Sequence, residues 1–126
     1  METESPVLEN IAEQAAVFGA LADPTRLKLV KLLCRQHAPD ALCVNALAGL
    51  LGVTQPAVSQ HLRVLRTIGL VKGERRGYNI HYFMNLDVLE RYRKIVSEAL
   101  IAEGPLNEKL CDNCCSKKEK QDASRV

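Results

Sequence analysis

The residues with most chemistry to offer lie in two stretches. Near the C-terminal end, Cys111-Asp112-Asn113-Cys114-Cys115 puts three thiols within five residues. With Cys114 and Cys115 three and four positions beyond Cys111, the sulfurs can converge on one ion. Three thiolates suit a soft centre such as trivalent arsenic or antimony. Lys109, Lys117 and Lys118 nearby favour the thiolate form, which promotes ligation and oxidation alike. Three readings of the trio stay open: a soft-ion ligand set, a redox pair that closes a disulfide, or an incidental cluster of exposed thiols. Structural zinc wants four ligands, so for zinc the trio would need Cys43, a group from a second chain or water.

The second stretch is polar rather than reactive. Thr54 is placed to N-cap a helix through Gln55-Pro56, and Val58, Leu62 and Leu65 recur at helical spacing along one side. Turning those three inward leaves Gln55, Ser59, Gln60, Arg63 and Arg66 facing out. Gln can pair bidentately with adenine, Ser reaches base edges and phosphates, and Arg favours phosphate or guanine. From Thr54 to Tyr78, the cations Arg63, Arg66, Lys72, Arg75 and Arg76 stand against Glu74 alone. A solvated helix face and hairpin would account for each residue singly. The coincidence of polar face, short preceding turn and basic hairpin points instead to duplex DNA.

The elements that position these residues follow from periodicity. Leu8, Ile11, Ala12, Ala15, Phe18 and Leu21 mark an amphipathic, Ala-rich first helix over 8–22. Asp23-Pro24 opens a second helix, whose Leu27, Val30, Leu33 and Cys34 are expected to be core. His37-Ala38-Pro39-Asp40 reads as a loop, Leu42-Cys43-Val44 as a short apolar stretch, and Asn45 as the N-cap of a helix over 46–51 closed by Gly52. That helix and the next, joined by a short Gly-containing turn, make a helix-turn-helix. Gly69 closes the second of them. Leu70 to Arg75 and Tyr78 to Met84 then read as strands of a hairpin around Arg76-Gly77. Asn85 is placed to cap a last helix with Leu89, Tyr92, Ile95, Val96 and Ala99 as its stripe, ending before Gly104-Pro105.

The whole chain is consistent with one domain. It has 126 residues, 47% hydrophobic and 25% charged, with net charge +2, an ordinary globular composition. The expected division is a domain over 8–103, carrying the helix-turn-helix and its hairpin, and a polar, cysteine-bearing tail over 104–126. The acidic opening Met1-Glu2-Thr3-Glu4-Ser5-Pro6 lacks the segments of a secretory signal, and no apolar run approaches membrane length. A cytoplasmic protein without a membrane partner is expected, its five cysteines reduced.

Phe18-Gly19-Ala20-Leu21-Ala22-Asp23-Pro24-Thr25-Arg26-Leu27, Thr54-Gln55-Pro56-Ala57-Val58-Ser59-Gln60-His61-Leu62, and Gly69-Leu70-Val71 with Arg76-Gly77 and Tyr82 resemble the ArsR/SmtB family of repressors. The resemblance covers 8–100. It implies a mainly α fold with a β-hairpin wing, a homodimer paired through its first and last helices, and an inverted-repeat operator on double-stranded DNA. The implied DNA-binding set is Thr54, Gln55, Ser59, Gln60, His61, Arg63, Arg66, Arg75 and Arg76. Within it Gln55, Ser59 and Gln60 read the major groove, the Arg75-Arg76 wing reaches backbone or minor groove, and His61 lies near the apolar side.

The resemblance also implies an effector, often a metal ion, that lowers DNA affinity. One family site type uses Cys-Val-Cys at the third helix, where Cys43-Val44-Asn45 keeps only the first cysteine. Another uses Asp and His on the last helix, which here offers Asp87, Glu90 and Glu98 with no histidine, leaving His81 on the hairpin. Cys111, Cys114 and Cys115 are therefore the expected ligands of a soft metal or metalloid, with arsenite or antimonite favoured over cadmium, lead or zinc. Cys43 is a lesser candidate, and Cys34 continues an apolar stripe. A thiol-based redox sensor and a relative without a metal effector are the alternatives. An enzyme built on Cys111-Asp112-Asn113-Cys114 would need a βαβ setting that the pattern lacks, and a protein-docking winged helix would not need a basic wing.

Overall fold

The computed structural model describes residues 8–36 and 41–101. These form five helices and one three-stranded sheet in the order α1 (Ile11–Leu21), α2 (Pro24–Arg35), β1 (Leu42–Cys43), α3 (Val44–Leu51), α4 (Gln55–Thr67), β2 (Val71–Arg76), β3 (Asn79–Met84) and α5 (Leu86–Ala99). The sheet is antiparallel with strand order β1-β3-β2. Among the described residues no helix is long and apolar enough to cross a membrane.

The core is built where the helices and the inner face of the hairpin meet. Leu29 and Leu33 of α2, Leu47 and Ala48 of α3, Val58, Leu62 and Leu65 of α4, Leu70, and Val71, Tyr82 and Met84 of the sheet are all buried and packed together. The α3–α4 turn is short because Gly52 adopts φ 68°, a left-handed conformation that only glycine takes at little cost. At the other end of α4 a Schellman-type closure, with Leu70 N–H donating to the Leu65 carbonyl at 3.1 Å, turns the chain into β2.

Four local expectations need correction. The buried face of α2 carries Leu29 and Leu33, whereas Leu27 is 45% exposed and Cys34 is exposed as well. So apolar a helix offers several overlapping stripes, and contact with α3 and the sheet selects one. Helix α3 starts at Val44 with Cys43 as its N-cap, so Asn45 lies inside it. The reason is β1, which pairs Leu42 with Tyr82 and Cys43 with His81 and so fixes where extended chain ends. The hairpin turn is Gly77-Tyr78, with Arg76 paired to Asn79 and Gly77 at φ 67°. A two-residue turn with glycine leading suits the twist of the strands. Helix α1 begins three residues later than Leu8 and, within one chain, buries Val17 and Ala20. Its apolar stripe stays outside, Leu8 52%, Ile11 48% and Phe18 37% exposed.

Polar ties lock the elements. The Gln36 side chain donates to the Tyr82 carbonyl and accepts from Leu42 N–H, joining the end of α2 to β1 and β3. Tyr92 of α5 donates its hydroxyl to the Ile68 carbonyl. Arg91 of α5 donates through Nε and Nη2 to one oxygen of Glu13 on α1, at 2.9 and 2.7 Å. Wing closure depends on Gly73, where a Cβ would lie 2.9 Å from Ile80 Cγ2 and 3.1 Å from Tyr82 Cε1.

Asp23 caps α2, accepting from Thr25 N–H at 2.8 Å and Arg26 N–H at 3.2 Å. Burial pushes its carboxyl up, but the two N–H groups, with the nearby His61 ring and the Arg26 guanidinium, outweigh this and hold it below its ordinary value. A group lowered in the folded state stabilises above its unfolded pKa, about 4, and loses that contribution as pH falls through the folded value. Asp23→Asn should therefore be less stable than the parent near neutral pH, with the gap closing in acid. Denaturant titrations across the acid range measure this, and a gap that stays constant would remove the assigned role of the charge.

Candidate nucleic-acid interface

Helix α4 owes its start to Thr54, whose hydroxyl accepts from Ala57 N–H at 3.3 Å, and to Pro56 in its first turn. Its hydrophobic side is spent on the core. On the other side Gln55, Ser59, Arg63 and Arg66 are exposed, at spacings of four, four and three that keep them in one stripe, with exposed Gln60 on the flank. The stripe is turned outward by the burial of the opposite one.

His61 does not share that stripe. Two residues past Ser59 at about 100° per residue, it lies on the far side of the helix, half-buried. There its Nδ1 is 3.1 Å from Arg26 Nη1 and its Nε2 is 3.8 Å from Asp23 Oδ2.

The wing carries the other cations. Lys72 and Arg75 are exposed. Arg75 and Arg76 are successive strand residues, so they leave opposite faces of the hairpin rather than acting as one pair. Arg76 is held by Glu74 Oε1 at 3.1 Å from both Nε and Nη2, and its guanidinium lies 5.5 Å from the centroid of the Phe83 ring. At the tip Tyr78 is fully exposed. It belongs to the turn rather than to the strand that its alternation suggests, and the glycine immediately before it is the signal of that turn. Arg26 carries no local signal of its role, since its partner His61 is 35 positions away.

The cysteines divide. Cys111, Cys114 and Cys115 lie outside the described residues. Cys43 is half-buried on β1, directly across from His81, whose buried Nδ1 has no hydrogen-bond partner among the described residues. Cys34 is exposed, and partial burial of its thiol raises its pKa against the pull of Lys31. Among the described residues no three of His, Cys, Asp and Glu gather as a metal site.

Comparison with known proteins agrees with this geometry. Residues 23–72 match the family described as bacterial regulatory protein, arsR family. Over 96 residues the chain is 40% identical to a transcriptional repressor SmtB homolog of Synechocystis sp., covering 75% of this chain and 70% of that one. A solved structure named as a possible transcriptional regulator for arsenical resistance superimposes with TM-score 0.62 at 30% identity, covering 80% of this chain and 98% of that one. The homodimeric winged helix-turn-helix DNA-binding domain of a possible ArsR-family regulator from Mycobacterium bovis gives TM-score 0.56 at 27% identity, covering 85% and 100%. With its helix-turn-helix, its hairpin wing and these relatives, the chain belongs to the ArsR/SmtB family of winged helix-turn-helix transcriptional regulators.

Proposed function

We propose that the chain is a homodimeric repressor that reads an inverted-repeat DNA operator with α4 and its wing and is released by a soft metal or metalloid bound at Cys111, Cys114 and Cys115. The observation that carries the DNA reading is the exposed polar stripe of α4, set opposite its buried apolar face. In this reading Gln55, Ser59 and Gln60 meet base edges, Thr54, Arg63 and Arg66 meet phosphates, and Arg75 and Arg76 extend the contact from the wing. His61 is reassigned from DNA contact to positioning, because its ring is engaged by Arg26 and Asp23.

Dimerisation is supported by the exposed apolar stripe of α1 and by the homodimeric relative. Helix α5 packs beside α1 through Arg91 and Glu13, which suits an interface formed by both. A two-fold axis then presents two reading helices to half-sites about one DNA turn, or a multiple of it, apart. The effector reading rests on the chemistry of three close thiols and on the arsenical-resistance relative. A ligand worth about 1–3 kcal/mol of differential affinity between DNA-competent and DNA-incompetent states shifts binding roughly 5- to 150-fold.

Footprinting and salt titration on an operator selected from a random duplex pool test the core of the reading. Protection of two half-sites and a steep loss of affinity with salt are expected, since phosphate contacts displace counterions. Gln55→Ala and Ser59→Ala should reduce discrimination between operator and random DNA by about 1–3 kcal/mol for a bidentate base contact. Arg75→Ala should weaken both duplexes alike. Equal losses in all three variants would erase the division of roles.

The effector is tested by replacing Cys111, Cys114 and Cys115 together with Ser and titrating arsenite and cadmium anaerobically into the DNA complex. The parent should release DNA and the triple variant should hold it. Release retained in the triple variant would move the site to Cys43. Release of the parent by peroxide alone would make the trio a redox sensor.

A further inference from the structure

Arg26 sits in the first turn of α2, yet its guanidinium serves the two neighbouring helices. Nε donates to the Ala20 carbonyl at 2.6 Å and Nη2 to the Gly19 carbonyl at 3.4 Å, both in the last turn of α1. Carbonyls at a helix C-terminus lack partners within the helix; the cation serves that of Ala20 and shares that of Gly19 with Ala22 N–H. Nη1 meets His61 Nδ1 on the back of α4 at 3.1 Å. A guanidinium has only donors, so Nδ1 must accept, and the neutral ring carries its proton on Nε2, towards Asp23. One planar group thereby ties the end of α1 to the middle of the reading helix.

The apolar contacts of α4 cannot supply what this tie does. Val58, Leu62 and Leu65 would remain buried through a modest rotation of the helix about its axis, because such packing is not directional. The reading side chains would not tolerate it. Turning a helix by about 20° carries a side-chain tip 5–6 Å from the axis through about 2 Å, enough to break a hydrogen bond to a base edge. A hydrogen bond on the far side of the helix, aimed along a planar donor, resists that rotation.

We infer that Arg26 is a positioning residue for DNA reading: acting through His61, it sets the rotation of α4 against the last turn of α1. This rests on the DNA-binding reading above. It also gives a physical route by which a change at α1, the helix with the exposed apolar stripe, reaches the reading face without passing through the core.

The test uses the full chain, an operator selected with the parent protein, and a random duplex of equal length. Four variants are compared: Arg26→Met, which keeps bulk without donors; His61→Leu, which removes the acceptor; His61→Asn, whose Oδ1 can occupy the place of Nδ1; and the double variant Arg26→Met with His61→Leu. Losing a hydrogen bond to a charged group should cost Arg26→Met and His61→Leu about tenfold in discrimination, with random-duplex affinity and its salt slope little changed for His61→Leu. His61→Asn should retain discrimination, and the double variant should be no worse than the poorer single one. His61→Leu discriminating like the parent, His61→Asn failing as badly as His61→Leu, or losses that simply add would overturn the inference. Should thermal melts show Arg26→Met unfolded, the contrast between His61→Leu and His61→Asn decides alone. A parent chain that selects no operator would defeat the DNA-binding reading and this inference with it. A parent that selects one while the His61 variants match it defeats only the inference.

Discussion

Everything at the reading face depends on one helix having its two sides committed to different solvents. Val58, Leu62 and Leu65 of α4 are held at 0%, 1% and 0% exposure, so removing any of them from the core would uncover apolar surface worth about 1.5–3 kcal/mol per side chain. Burial decides which side of the helix faces outward, though not its finer rotation: the polar stripe points out because its opposite cannot. The caps follow the same logic. Thr54 and Gly69 end the helix where its buried side ends, and the chain leaving Gly69 passes directly into Leu70 and Val71, which are core residues themselves.

The wing extends this frame by other means. Its inner face is pinned by Tyr82 and Met84, while its outer face relies on charge and aromatic contact among Glu74, Arg76 and Phe83. An arginine already oriented by a neighbouring carboxylate loses less freedom when it meets an anion, although it must share its charge. Arg75, leaving the opposite face, has a different part to play from its neighbour in sequence.

Much of this was legible before any coordinates. Helix α4, the hairpin, the α3–α4 turn and the caps at Asp23 and Thr54 follow from periods and turn residues within a few positions of one another. What escaped depends on distant partners. The alternation of α2 admits several apolar faces, and only packing against α3 and the sheet favours Leu29 over Leu27. The start of α3 is set by β1 pairing with a strand some 40 residues later, not by Asn45. Arg26 and His61 look like an ordinary surface cation and a histidine near an apolar side until the fold brings them together. The thiol trio is legible as adjacent soft donors from residue type and spacing alone, while the fold sets Cys43 across from His81 and leaves Cys34 facing outward.

The contrast between the two ends of the hairpin bears on how such a protein can change over generations. At the root, a Cβ on Gly73 would lie 2.9 Å from Ile80 Cγ2 and 3.1 Å from the buried Tyr82 ring, so a substitution there must push Ile80 aside and press on that ring. At the tip, Gly77 is kept as glycine by its φ of 67°, but the neighbouring Tyr78 is fully exposed. Exposed turns of this kind accept insertions and new side chains readily. The wing is thus a lever with a frozen pivot and a free end: its length and tip chemistry can be retuned to new DNA without disturbing the fold that carries it.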